Sequence, residues 1–269
     1  MSVPRIILAL SVVFASSCDL GVPDAGERSW TISSLPGDGE ADVARQTPLE
    51  IQLDRRILPR SVDNRSVQLR SGAASPLAVV RYQLLDRTIR ISLPGWAPLV
   101  AGTTYWLEID GLIDLDGFAQ PEPYSAYFTT GAELGAAVPP APVDIPQALE
   151  LLRDRCASSG CHSAPLPAAE LDLGSPHGIE TTATRTSREL GLDGVTAQGA
   201  AGALWLPATR IVDVTAGSGD PARSYLMYKV LGDPHIVGER MPPTGPRLSA
   251  SELALLAAWI ERGAPGSPP

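Results

Sequence analysis

The run Arg155-Cys156-Ala157-Ser158-Ser159-Gly160-Cys161-His162 brings two thiols and an imidazole together on a short stretch of chain. Two cysteines with a histidine directly after the second form the arrangement that attaches a haem. The thiols add across the porphyrin vinyl groups, and the adjoining imidazole is carried under the iron. The usual spacing is two residues between the cysteines, whereas here Ala157 to Gly160 make four. Ser158, Ser159 and Gly160 are small and flexible enough to bulge outward and leave both thiols usable. The same pair can instead close a short disulfide loop and leave His162 idle. A zinc site has three clustered ligands here and no evident fourth.

Of the three cysteines, only Cys18 stands apart from this run. It follows Arg5, an apolar run from Ile6 to Ala15, and the small residues Ser16 and Ser17. A basic start, a short apolar stretch and small residues read as an export signal, and the stretch is too short to span a bilayer. The ending resembles a bacterial lipobox, which implies lipidation of Cys18 and a membrane contact through that lipid. Residues 1–18 are therefore expected to be a signal segment, and the chain to reside in the cell envelope, periplasmic or anchored to the outer membrane. An oxidising compartment permits haem attachment and a disulfide equally.

The chain has 269 residues, and the part beyond the signal is long enough for two modest domains. Its formal net charge is −9 with both signs interspersed and no basic block, which argues against a nucleic-acid partner. Lys229 is the only lysine; arginine supplies the other positive side chains.

Two kinds of periodicity divide the sequence. From Trp30 to Gly131 short stretches alternate apolar and polar residues, as in Leu49-Glu50-Ile51-Gln52-Leu53, and turn residues such as Pro36-Gly37-Asp38-Gly39 and Asp116-Gly117 punctuate them. That pattern predicts an antiparallel sandwich with strands near 49–53, 67–69, 77–83, 88–93, 103–109 and 124–129. Asp110, Asp114 and Asp116 are read as polar turn residues in preference to a calcium site. A Pro/Ala-rich linker covers 132–144. From Ile145 the period becomes helical. One helix runs from Ile145 into Cys156. Asp220-Pro221 opens another that Gly232 stops, and the capping box Ser249-Ala250-Ser251-Glu252 starts a last one. Gly174 to Thr215 is predicted as loops.

The β-rich stretch resembles the bacterial Ig-like domains of S-layer and other surface proteins. The resemblance rests on Pro36-Gly37-Asp38-Gly39, on the strand Thr104-Tyr105-Trp106-Leu107, on the turn Leu115-Asp116-Gly117, and on the closing Phe128-Thr129-Thr130-Gly131. It implies a spacer or interaction module over 28–131. The remainder, 145–265, resembles the cytochrome c-like domains of exported bacterial proteins. That resemblance rests on the helix entering Cys156…Cys161-His162, and on Gly219-Asp220-Pro221, Ser224-Tyr225-Leu226, Met241-Pro242-Pro243, Leu248-Ser249, Glu252, Trp259-Ile260 and Gly263-Ala264. It implies a multidomain chain in which an all-β Ig-like sandwich precedes a mainly α cytochrome c-like domain. It further implies haem c on Cys156 and Cys161, iron ligated by His162 and by Met241, and Leu149, Leu152, Leu226, Leu256 and Trp259 as haem walls. His177 and His235 are expected to be solvent-exposed loop or turn residues, and Met227 to lie on a helix. The implied function is that of an electron carrier serving a redox partner protein, not an enzyme. The competing class is a haem-free surface interaction lipoprotein with a Cys156–Cys161 disulfide.

Overall fold

The computed structural model describes residues 29–72, 76, 78–136, 143–158, 160–185, 210–215, 218–236 and 238–267. The expected signal segment with Cys18, and residues 137–142 of the Pro/Ala linker, lie outside the described residues.

Eight strands form the N-terminal part: β1 (Ile32–Leu35), β2 (Glu40–Val43), β3 (Leu49–Leu53), β4 (Val67–Arg70), β5 (Val79–Gln83), β6 (Thr88–Ser92), β7 (Thr104–Ile109) and β8 (Tyr124–Thr130). They make two four-stranded sheets, ordered β1-β3-β6-β5 and β2-β8-β7-β4. Alternation decides which side chains face inward. Leu49, Ile51 and Leu53 of β3 are buried, while Glu50 points outward to Arg90 at 2.9 Å. Across the second sheet Tyr105, Leu107 and Ile109 pair in register with Phe128, Ala126 and Tyr124. The Tyr105 and Phe128 rings stack with centroids 5.6 Å apart.

One pairing departs from the expected antiparallel order: β2 runs parallel to β8. The Pro36–Gly39 turn is responsible, because it carries the chain from one sheet to the other. Gly39 N donates to Tyr127 O at 2.7 Å, and Tyr127 N donates to the Asp38 carboxylate at 3.0 Å. The turn is thus fastened to the middle of β8, and β2 leaves it alongside that strand. Gly39 has φ 77°, a backbone conformation that favours glycine.

The C-terminal part corrects the expected fold. Its described residues form four short helices, α1 (Ile145–Arg155), α2 (Pro176–Thr182), α3 (Tyr225–Leu231) and α4 (Ala250–Glu261), with a two-stranded hairpin of β9 (Val214–Thr215) and β10 (Ser218–Gly219). This is not a cytochrome c fold, and the chain is mostly β. The reasons are local. The predicted helix from Asp220 breaks at Ser224, whose extended backbone (φ −92°, ψ 117°) separates a single 3₁₀ turn, Pro221–Arg223, from α3. Its hydroxyl donates to Asp220 O at 2.7 Å and accepts from Asp213 N at 2.9 Å, so the break is hydrogen-bonded on both sides. Pro234, Pro242, Pro243 and Pro246 keep the stretch after α3 from becoming helical. Helix α2 lies where only loops were predicted.

The expected ends of α1 and α4 hold. Asp144 caps α1 by accepting from Gln147 N at 3.0 Å. Ser249 and Glu252 form the reciprocal capping box of α4, at 3.2 and 2.7 Å. Helices α1 and α4 pack on each other, and Leu152, Leu256, Trp259 and Ile260 are buried between and behind them. The Pro221–Arg223 turn, with Ala222 fully buried, packs against β5 and the Pro59–Ser61 turn of the sandwich. The Tyr228 hydroxyl donates to Ala222 O at 2.6 Å from behind.

Candidate functional site

Helix α1 delivers the first thiol. Its last buried face, Leu151 and Leu152, seats the helix, and Cys156 N closes its end on Leu152 O at 2.9 Å. The chain then returns to the helix end. Cys161 N donates to Ser158 O at 2.9 Å, and His162 N donates to Cys156 O at 3.1 Å. The widened spacing is therefore taken up in a closed turn, and both cysteines carry free thiols. Beyond the turn, Ala168 N bonds Cys161 O at 2.8 Å and Leu173 N bonds His162 O at 2.8 Å.

These contacts orient the imidazole. His162 Nδ1 lies 3.0 Å from Ala168 O. A carbonyl only accepts, so Nδ1 carries the hydrogen and the neutral ring offers its Nε2 lone pair to a metal. Met241 comes from the segment after α3. Its N–H donates to Lys229 O, at the end of α3, at 2.9 Å. The Arg240 guanidinium braces the proline-rich turn after it, donating to Pro242 O at 2.8 Å and to Gly245 O at 3.1 Å.

Cys156, Cys161, His162 and Met241 all line one cavity of about 430 Å³, within the size range of small-molecule and cofactor sites. Its apolar wall comes from Leu171, Leu173, Ile211, Leu226 and Val230, with Tyr225 beside them. Of the five side chains expected as walls, only Leu226 is among these. Leu152, Leu256 and Trp259 belong to the α1–α4 packing core. Leu171 and Leu173 come from an extended segment whose apolar-Asp-apolar alternation was the one available signal. Arg155 and Lys229 also line the cavity and supply its positive charge. Arg155 Nη2 donates to Pro246 O at 3.0 Å, and its Nε lies 3.7 Å from the Glu252 carboxylate. Burial pushes the Cys156 thiol up to about 11, with neighbouring Arg155 pulling weakly the other way. Cys161 is half-buried and accepts from the Ser158 hydroxyl at 3.4 Å.

The other two histidines separate. His177 is exposed on the first turn of α2, as expected of a solvent-facing residue although not in a loop. His235 is buried, contrary to expectation: it is 6% accessible, held between Asp233 and Asp116. Asp114 accepts from Phe118 N at 2.8 Å, a turn contact. Among the described residues no group of three or more His, Cys, Asp and Glu side chains is disposed to hold a bare metal ion. Nor is any described helix long and apolar enough to cross a membrane.

The sandwich has known counterparts. Residues 30–130 match the bacterial Ig-like domain family. Several solved structures share part of the chain. The N-terminal part of the S-layer protein SbsC is 16% identical over 38% of this chain and 24% of that one, with a TM-score of 0.29. The methionine-rich copper resistance protein PcoC from Escherichia coli is 16% identical over 38% of this chain and 99% of that one, with a TM-score of 0.31. CopC from Methylosinus trichosporium OB3b is 13% identical over 38% and 92%, with a TM-score of 0.31. The match thus spans about a quarter of the S-layer fragment, and at these identities and TM-scores the likenesses carry no functional argument. A search of curated proteins found no significant match.

Proposed function

We propose that the chain is an exported, lipid-tethered electron carrier whose C-terminal part holds one covalent haem c in a fold of its own. The observation that carries this reading is the shared cavity: two free thiols, an imidazole with Nδ1 already engaged, and a thioether all line it. That donor set fits haem c. Cys156 and Cys161 would form the thioethers, and His162 Nε2 and the Met241 sulfur would hold the iron. When bound, the haem supplies a one-electron iron couple. The residues around it do the rest. Ala168 O fixes the imidazole orientation and raises its basicity. Leu171, Leu173, Ile211 and Val230 line the cavity with apolar surface that would exclude water; with the soft Met241 sulfur they would favour the reduced iron and raise its potential. Arg155 and Lys229 offer positive charge to acidic substituents.

The experiment is a pyridine haemochrome spectrum on protein expressed with the cytochrome c maturation machinery and washed in acidified acetone. A retained c-type α-band is the expected result. A colourless protein without free thiols at Cys156 and Cys161 overturns it and leaves a disulfide-stapled surface interaction lipoprotein. The acyl chain on Cys18 is read separately, by mass spectrometry of the N-terminal peptide.

A further inference from the structure

We propose that the Ig-like domain is part of the pocket apparatus, with Arg56 and Asp116 as positioning residues that clamp the segment leading to Met241 through a proton-dependent contact at His235. The importance of Met241 rests on the haem reading; the clamp is a property of the polypeptide itself.

Helix α3 ends at Gly232, whose φ of 65° turns the chain out of the helix. The segment after it is closed at its base, since Asp233 N donates to Tyr228 O at 3.1 Å and Met241 N to Lys229 O at 2.9 Å. The Arg240 side chain packs over Gly232, so that the two ends of the segment touch. From this closed base two side chains reach the Ig-like domain. Asp233, 2% accessible, receives Arg56 Nη1 on Oδ2 at 2.8 Å. His235 sets Nδ1 2.7 Å from Asp233 Oδ1 and Nε2 3.2 Å from Asp116 Oδ1.

Both ring nitrogens of His235 therefore face carboxylate oxygens, which only accept. An imidazolium satisfies both contacts. A neutral ring satisfies one and turns a lone pair toward the other carboxylate. The groups around it come from every side. Asp233 lies on its own segment, Asp116 on the sandwich turn, and Arg56 behind Asp233. The Arg55–Asp114 pair at 3.6 Å stands next along the sandwich. Tyr228 of α3 and Tyr82 of β5 are near Arg56 and Asp233, and burial raises both phenols, Tyr82 to about 12, so they stay neutral. The hydrogen bond to Asp233 raises the His235 pKa against the opposing effect of burial. A raised folded value means that the clamp is fully present below the ordinary 6.5 and is lost as pH rises through the folded value.

The test is methyl NMR on the full exported chain in its reduced state, labelled with ¹³C-methyl methionine. Met227 and Met241 are assigned by substitution, and pH is taken from about 5.5 to 9 to bracket an imidazole titration. The Met241 methyl should move with the midpoint of the His235 ring signals while fully buried Met227 stays still. Asp116 is half exposed and Asp116→Asn keeps the size of the side chain while removing its charge; it should lower that midpoint and shrink the Met241 excursion at least twofold, with far-UV circular dichroism and thermal unfolding confirming the fold. A Met241 signal that ignores the His235 titration, or one unaltered by Asp116→Asn, overturns the proposal. A haemochrome spectrum on the same sample keeps the two readings apart. Haem-free protein in which Met241 follows His235 removes the haem and supports the clamp. Haem-bearing protein in which it does not removes the clamp alone.

Discussion

Cys156 and Cys161 stand close in sequence and in different environments, and that contrast is measurable. In chain prepared without haem, burial and its raised pKa hold Cys156 as a thiol, while Cys161 is half-buried. Because the thiolate is the nucleophile, iodoacetamide at neutral pH should alkylate Cys161 well before Cys156, by at least tenfold in rate, read by peptide mass spectrometry. Equal rates would mean that the α1 end is open. In haem-bearing chain Met241→Ala should lower the reduction potential and leave the covalent haem in place, as the thioether favours reduced iron; an unchanged potential would remove Met241 as ligand. At Trp259 the role is packing. Its ring is fully buried and its Nε1 donates to Pro265 O at 3.0 Å. Trp259→Ala should cost about 3–5 kcal/mol in denaturant unfolding, a loss that a haem-contact role in an empty cavity would not produce.

Helices and strands were legible where local chemistry determines them. The capping box at Ser249–Glu252 fixes the start of α4, and Ser249→Ala should destabilise the chain by about 1 kcal/mol in urea titration. Hydrogen bonds from Ser249 hold the Glu252 carboxyl below its ordinary value. Its contribution is therefore present at neutral pH and fades only as pH falls through the carboxylate range. Strand β3 was visible because one face is buried and the other is not. Strands β1 and β2 were missed for the opposite reason: Ser33 and Ser34 interrupt the apolar residues of β1, and in β2 only Val43 is buried. The break at Ser224 was missed because its partner Asp213 comes from the preceding hairpin, outside the helical pattern that was read. A set of cytochrome-like motifs was real as sequence, yet the prolines and the 3₁₀ turn between them build a different fold. Cys156, Cys161, His162 and Met241 were singled out by their types, and they line one cavity. Most of the apolar wall was not, because Leu171, Leu173 and Ile211 belong to segments with no helical period.

On the scale of the whole molecule, the buried residues of the two parts meet through Ala222 and the charged cluster beside it. Arg56 and Asp233 form an ion pair in which the carboxylate is almost fully enclosed. Burial pushes Asp233 upward, but hydrogen bonds from His235 and Arg56 outweigh it and hold the carboxyl below 3.8. Its stabilisation is therefore present above 3.8 and lost as pH falls through the folded value, while that of His235 is lost as pH rises past its own. Stability should be greatest in the window between, with losses on both sides in pH-dependent thermal unfolding. Arg56→Met, which leaves Asp233 held by His235 alone, should cost about 1–3 kcal/mol, and a loss below ~1 kcal/mol would show that water reaches Asp233. His235 was unreadable from sequence because its second partner, Asp116, is 119 positions away.

That separation also orders events in time. A chain that emerges from its amino end presents Arg56 and Asp116 long before Asp233 and His235. The sandwich can close on local pairings such as β5 with β6, whereas the clamp requires the ends of a very long loop to meet. The cavity segment therefore has nothing to dock against until the sandwich exists, and the Ig-like domain acts as the template on which the rest of the chain is completed.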